Sequence, residues 1–189
     1  MRLMIYGSGA FAPTVIELVR ACGHEAVGMI DDTRSGEDLL GSFEEVTRSH
    51  PPKDFGIALA IGYNNFPGRW IAWQRIRAVG YDAPVLIHPR AYVADSAKIE
   101  QGTMIMAGAT IDVRAKIGAA CVIWPGVCVS HDTSVGANCF ISPNATVCGF
   151  VNIGESTFVG AAASIADGCE VPASSFIKMH SLYKEGRKK

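Results

Sequence analysis

The chain contains one His-Asp dipeptide, His131 followed by Asp132, and such a pair is suited to moving a proton. An imidazole titrates near neutrality, and a carboxylate beside it settles which ring nitrogen holds the hydrogen and favours the protonated form. Such a pair serves a reaction in which a base takes a proton from an attacking hydroxyl or amine, while a separate donor stabilises the negative charge building on a carbonyl oxygen. A solvated turn histidine is the plain alternative. A second place with chemical potential is Gly7-Ser8-Gly9-Ala10-Phe11-Ala12, which lies between an apolar strand and a helix, where main-chain N–H groups can receive a phosphate. Asp31 and Asp32 follow about twenty residues later, the spacing at which a carboxylate reaches a ribose hydroxyl.

These residues need elements to hold them. Up to residue 86 the chain alternates strand-like and helix-like runs. Arg2 to Tyr6 is apolar and extended, and Val15, Leu18, Val19 and Cys22 then recur at helical spacing, which makes a βα unit. Ala26 to Ile30 reads as a second strand, and Ser42 with Glu45 three residues on forms a capping box for a short helix that Pro51-Pro52 stops. Gly56 to Ile61 is a third strand, nearly all apolar as in a parallel sheet covered on both faces, and Trp70 to Val79 is a second long helix. Residues 1–86 are therefore expected to form a small α/β domain with a parallel sheet, about half of a Rossmann-type dinucleotide fold. The glycine turn also describes an NAD site or a βα turn without ligand. With about three strands only the mononucleotide half is present, which suits one nucleotide better than two.

From Ile87 another rule holds. Stepping by six from there, every position as far as Ile177 is Ile or Val, Val129 among them. Two residues before each lies a second column that is almost all small, and Gly102, Gly108, Gly126, Asp132, Asn138, Asn144 and Gly168 sit three residues after the aliphatic one. Neither a helix nor an ordinary strand has period six. The repeat needs a coil of short flat strands with one branched side chain per strand pointing inward and a turn every six residues. Three hexads close a triangular coil, so residues 18 apart stack at the ~4.8 Å sheet spacing, and the branched column fills the prism axis.

The hexads, with the segments MIYGSGAFAP, GMIDD, AIGYNNFPGR, LIHPRAYVADSAKIEQGT and VSHDTSVGANCFISPNATVCG, resemble the hexapeptide-repeat sugar acyltransferases. This is the family of the NeuD-type sialic acid O-acetyltransferases and the PglD-type UDP-4-amino-sugar N-acetyltransferases, and the likeness runs from Met1 to about Val171. It implies a left-handed parallel β-helix over residues 87–178, followed by a basic tail at 179–189. It also implies a homotrimer with active sites between neighbouring prisms, acetyl-CoA as co-substrate along the helix, and a nucleotide-linked sugar gripped by residues 1–86. In that reading the protein acetylates an amine or hydroxyl of the sugar, with His131 as general base, Asp132 as its orienting carboxylate and the Gly149 N–H as oxyanion donor. Residue 149 is 18 after His131, hence one coil above it in the same column, although a glycine required by a turn would look the same. The substrate is expected at the glycine turn and the two aspartates, Gly7, Ser8, Gly9, Phe11, Asp31 and Asp32, and the resemblance adds Asn64, Asn65 and Arg69 near the nucleotide, where an arginine can pair with phosphate. The CoA side falls on Phe140, Gly149 and Ala161. Two positions depart from the PglD pattern, Phe11 and Phe140, where those members have histidines, so a different sugar, nucleotide or acyl group is expected. No Cys or Ser is paired with His131 in the sequence, which points to direct transfer without an acyl-enzyme.

Composition narrows the remaining classes. With 49% apolar residues, 17 basic against 18 acidic ones and a net charge of -1, the chain has neither the profile of disorder nor the positive field of a nucleic-acid binder. No apolar run approaches the ~18 residues of a membrane span, and Met1 to Gly9 reads as a strand entering a turn, so a cytoplasmic protein without membrane insertion is expected. The six cysteines form no CxxC pair and read as small core residues. A γ-class carbonic anhydrase would need three histidines on one metal. His131 is alone well inside the coils, with His88 and His180 more than two coils away, so no metal is expected. A non-catalytic nucleotide-sugar-binding or scaffold trimer, its site degraded at Phe11 and Phe140, is the second reading.

Overall fold

A computed structural model describes residues 1–186, which divide into two compact units, Met1–Leu86 and the chain from Ile87 onward. The first unit is a four-stranded parallel sheet in the order β3 (Leu39–Gly41), β2 (Glu25–Ile30), β1 (Arg2–Tyr6), β4 (Gly56–Leu59). β1 is buried from Leu3 to Tyr6, and α1 (Ala12–Ala21) lays Ala12, Val15, Leu18 and Val19 into the core. α2 (Phe43–Ser49) opens with the expected capping box, Ser42 and Glu45 each receiving the other's main-chain N–H. α3 (Phe66–Val79) starts at Phe66 instead of Trp70, because Asn65 Oδ1 accepts the Gly68 N–H and a proline occupies the first turn. The sheet has one strand more than expected, since Leu39–Gly41 is too short to show a period. β2 lies on one side of β1 and β4 on the other, which puts a topological switch point at the carboxyl ends of β1 and β4, where open α/β sheets hold ligands.

The second unit is a left-handed parallel β-helix of two-residue strands on three faces. Each inner strand pairs with those 18 residues before and after it, so Val129 stands between Ile111 and Val147. The axis is filled from Ile105 to Ile177 by the aliphatic column, with the small column packed beside it. Three threonines of the small column are wholly buried, and their hydroxyls donate to the carbonyls of Gly118, Cys148 and Pro172. That satisfies polar groups which would otherwise be costly inside an apolar prism. All six cysteines are free thiols; Cys121, Cys139 and Cys169 are buried in the small column.

Two expectations are corrected. Ile87 is not buried like the rest of its column: it is 38% exposed, on the terminal rung of its face, with a partner strand on one side only. The coil also runs beyond residue 178, because Leu182–Tyr183 pairs with Ser164–Ile165 and Tyr183 takes the inward place of the next aliphatic residue. Residues 179–183 therefore belong to the solenoid, and 187–189 of the expected basic tail lie outside the described residues.

Candidate active site

The turn that follows Cys128–Val129 carries His131, whose side chain is 43% exposed, and Asp132, in the left-handed conformation at φ 58°. Asp132 N–H donates to the Val113 carbonyl of the coil below, and Phe150 N–H donates to the His131 carbonyl from the coil above, so the turn is fixed from both sides. His131 Nδ1 lies 3.0 Å from Asp132 Oδ2. The tautomer with its hydrogen on Nδ1 donates to that carboxylate and leaves the Nε2 lone pair free to take a proton. The ring meets Phe150 edge-on, with centroids 5.1 Å apart at 84°.

Gly149 stands directly over the imidazole. A Cβ at this position would lie 2.8 Å from His131 Cε1 and 3.0 Å from Nε2, with Asp167 Oδ1 at 3.2 Å. Gly149 is not in the left-handed region; that place in the turn belongs to Phe150, at φ 57°. Close approach of the ring, and not the turn, is what requires a glycine here. Among the described residues its N–H donates to no main-chain carbonyl.

One member of the cluster escaped sequence reading. Arg114 stacks one coil below Asp132 and grips it with two bonds, Nε to Oδ1 at 2.7 Å and Nη2 to Oδ2 at 2.8 Å. This fork, and then the contact with His131, hold the Asp132 carboxyl well below the usual carboxylate range. The signal was present in the 18-residue arithmetic: position 114 lies one coil beneath 132, as 131 lies beneath 149 and 149 beneath 167.

The other expected contacts of the solenoid are not beside His131. Phe140 is only 4% exposed, packed between Trp124 and Phe158 on another face, so it does not offer a surface for CoA as expected. Ala161 follows Phe158–Val159 and lies on a different edge of the prism from His131.

At the switch point of the first unit, a cavity of about 320 Å³ is lined by Tyr6, Gly7, Asp31, Asp32, Thr33, Ile61, Asn65, Gly68, Ile71, Ala72 and Arg75. Gly7 has φ +117°, and a Cβ there would strike the Ala60 carbonyl at 2.7 Å, so this turn admits only glycine. Asp31 is largely occupied. Its carboxylate accepts from Ser8 N–H and Oγ, from Thr33 N–H and Oγ1, and from Arg34 N–H. Burial pushes this carboxyl up, and the bonds from Ser8 and Thr33 outweigh it, leaving it far below its ordinary value. Asp32 accepts from Tyr6 Oη at 2.5 Å, Arg75 Nη1 at 2.5 Å and Phe43 N–H at 2.8 Å. Its carboxyl is likewise lowered, these three bonds overcoming its burial.

Of the other expected binding residues, Gly9, Phe11 and Asn64 do not line this cavity, and Ser8 reaches it only through Asp31. Arg69 is wholly buried, and its guanidinium donates to the Ile61 carbonyl at 2.6 Å. It props the loop after β4, which corrects the expectation of a phosphate contact. Tyr6 and Arg75 were not singled out, because both read as ordinary members of a strand and a helix. Among the described residues no group of three His, Cys, Asp or Glu side chains is placed to hold a metal ion, and no helix is long and apolar enough to cross a membrane.

Both units are similar to known proteins. Residues 2–72 match the profile described as "PglD N-terminal domain", and residues 114–149 match "Bacterial transferase hexapeptide (six repeats)". No curated protein matches the chain by sequence. Among solved structures, the acetyltransferase domain of PglB from Neisseria gonorrhoeae is 27% identical with a TM-score of 0.87, over 98% of this chain and 94% of that one. A point mutant of perosamine N-acetyltransferase from Caulobacter crescentus, in complex with CoA and GDP-perosamine, is 27% identical with a TM-score of 0.89, over 99% of this chain and 90% of that one. WeeI from Acinetobacter baumannii shares the fold at 17% identity, with a TM-score of 0.83 over 99% and 93%.

Proposed function

We propose that this chain, whose two units match the PglD N-terminal domain and the bacterial transferase hexapeptide, is a PglD-type sugar acyltransferase that transfers an acetyl group from acetyl-CoA to the amino group of a nucleotide-linked sugar. Acetyl-CoA supplies the activated carbonyl as a thioester. His131 Nε2 takes the proton of the attacking nitrogen as the nitrogen–carbon bond forms, while Asp132 on Nδ1 stabilises the imidazolium. The Gly149 N–H donates to the carbonyl oxygen as it gains negative charge. As the carbon–sulfur bond breaks, the imidazolium returns a proton to the departing thiolate, so the base is regenerated without an acyl-enzyme.

Likeness to an enzyme solved with CoA and GDP-perosamine supports the substrate class. The cavity at the switch point of the first unit is the candidate site for the nucleotide, with Arg75 and Asn65 as polar groups at its wall. The solenoid is proposed to work as a homotrimer, as the resemblance implies, and light scattering of the purified protein tests it. The observation that carries the proposal is the stack of Gly149 over an exposed imidazole whose other nitrogen is anchored on Asp132. Hydroxyl acylation of the same sugars is the competing outcome. The decisive experiment measures thiol release from acetyl-CoA with a panel of UDP-, dTDP- and GDP-linked amino sugars and free sialic acids. The expected result is turnover with at least one nucleotide amino sugar, abolished in His131→Ala. No release with any acceptor would overturn the proposal and favour the scaffold reading.

A further inference from the structure

We infer that Arg114 is a positioning residue for the proposed base: its guanidinium fork holds the Asp132 carboxylate against His131 Nδ1 and shares that carboxylate's charge with the imidazole, so that Arg114 sets the pH range in which His131 works. The inference rests on His131 being the base of the proposed reaction. Its physical support is a stack of three turn residues at one edge of the prism. Ser96 Oγ accepts the Arg114 main-chain N–H at 3.0 Å, the Arg114 side chain forks onto both oxygens of Asp132, and Asp132 Oδ2 reaches the ring nitrogen at 3.0 Å. Two parallel bonds to a planar carboxylate fix its plane as well as its position, which a single bond to a lysine ammonium does not do.

Folding gives little reason for this arrangement. The Arg114 side chain is 64% exposed, and an ion pair so open to water contributes little to stability. Arg114 also adopts φ 57°, a conformation that glycine or asparagine takes at lower cost. A charge-bearing side chain held there makes physical sense through what it touches, and it touches the partner of the base.

The electrostatic consequence follows from the neighbours of the imidazole. Asp132 is beside it, Asp112 lies near Arg114 on the coil below, and Asp167 Oδ1 lies 3.2 Å from the same Gly149 Cβ position that the ring approaches. The Asp132 carboxylate bonds the ring on one side and the Arg114 guanidinium on the other. Arg114 supplies the one cation among these charges. Removing it leaves Asp132 wholly to His131, so the ring of the variant is expected to hold its proton to higher pH than in the wild type.

The test follows the ring protons of His131 by NMR against pH in the full-length protein, with the resonance identified by its loss in His131→Asn. In Arg114→Gln the midpoint is expected to move up by about 0.5 to 1 pH unit. In Arg114→Lys, which keeps the charge and loses the fork, the midpoint is expected to stay near wild type. With an acceptor in hand, kcat of Arg114→Gln is expected to fall about tenfold with its acid limb displaced in the same direction, KM for the sugar unchanged. Arg114→Lys is expected to lose kcat without that displacement. A midpoint in Arg114→Gln equal to wild type would overturn the inference whether or not an acceptor is known. Absence of turnover in wild type would instead overturn the proposed function, while the titration still decides the role of Arg114.

Discussion

Replacing Gly149 by alanine is the most informative single perturbation of this site, because it adds one methyl group and removes nothing. The new carbon would lie 2.8 Å from His131 Cε1 and 3.0 Å from Nε2, against about 3.5 Å for ordinary contact between such atoms. The main chain at 149 is not left-handed, so alanine fits the backbone and relief must come from the imidazole, which is the free end of a side chain. The ring has to withdraw by somewhat less than about 1 Å, and a misplacement of this order in a reacting group costs up to about 100-fold in rate. Stability should hardly change, by less than about 1 kcal/mol, since no buried contact is lost. Thiol release gives kcat, and thermal unfolding followed in parallel shows that the protein is intact. A Gly149→Ala variant that keeps the wild-type fold and the wild-type kcat would refute the reasoning that His131, in this orientation, performs the proton transfer.

Three further outcomes follow from other parts of the molecule. Asp31→Asn removes the anionic acceptor that gathers Ser8, Thr33 and Arg34, and urea unfolding of the first unit at pH 7 should show a loss of about 2 kcal/mol. Because the folded-state value of Asp31 is depressed, its stabilisation is complete above the unfolded value near 3.9 and declines as pH falls below that, so the gap between wild type and variant should close on acidification below about pH 4. Arg75→Ala frees Tyr6 and Asp32 at the wall of the switch-point cavity, and isothermal titration with the accepted nucleotide sugar should show roughly tenfold weaker binding, about 1.4 kcal/mol, with little change in kcat at saturation. Ile141→Ala should cost about 3 kcal/mol by opening a void in the prism axis, where Ile141 is wholly buried.

Period six made the solenoid legible, because an inward residue every six positions is a direct consequence of three flat faces, and Val129 lies in the axis as that rule requires. The same rule placed Gly149 over His131. It lost track where chemistry changed while geometry did not: Tyr183 takes an inward place as an aromatic, and Ile87 keeps the aliphatic type on a terminal rung without the burial. The site was half legible. His131 and Asp132 stood out as the one His-Asp pair inside the coils and Gly149 followed from the resemblance together with the 18-residue stacking, whereas Arg114 under Asp132 would have needed the same columns read for opposite charge. In the first unit, residue type misled. Arg69 stands where a phosphate-binding arginine was expected, yet its guanidinium is used by the Ile61 carbonyl, a bond back to the loop before its helix that residue type does not reveal. Asp31, similarly, spends its carboxylate on its own turn and on Ser8, and Phe140 packs against Trp124 and Phe158.

A crystal structure of the protein with CoA and the nucleotide amino sugar that supports turnover tests the central claim most directly. The acceptor nitrogen should lie about 2.6–3.2 Å from His131 Nε2, with the Gly149 N–H turned toward the place of the thioester oxygen. An acceptor nitrogen held well away from this imidazole, with the CoA sulfur on another edge of the prism, would contradict it.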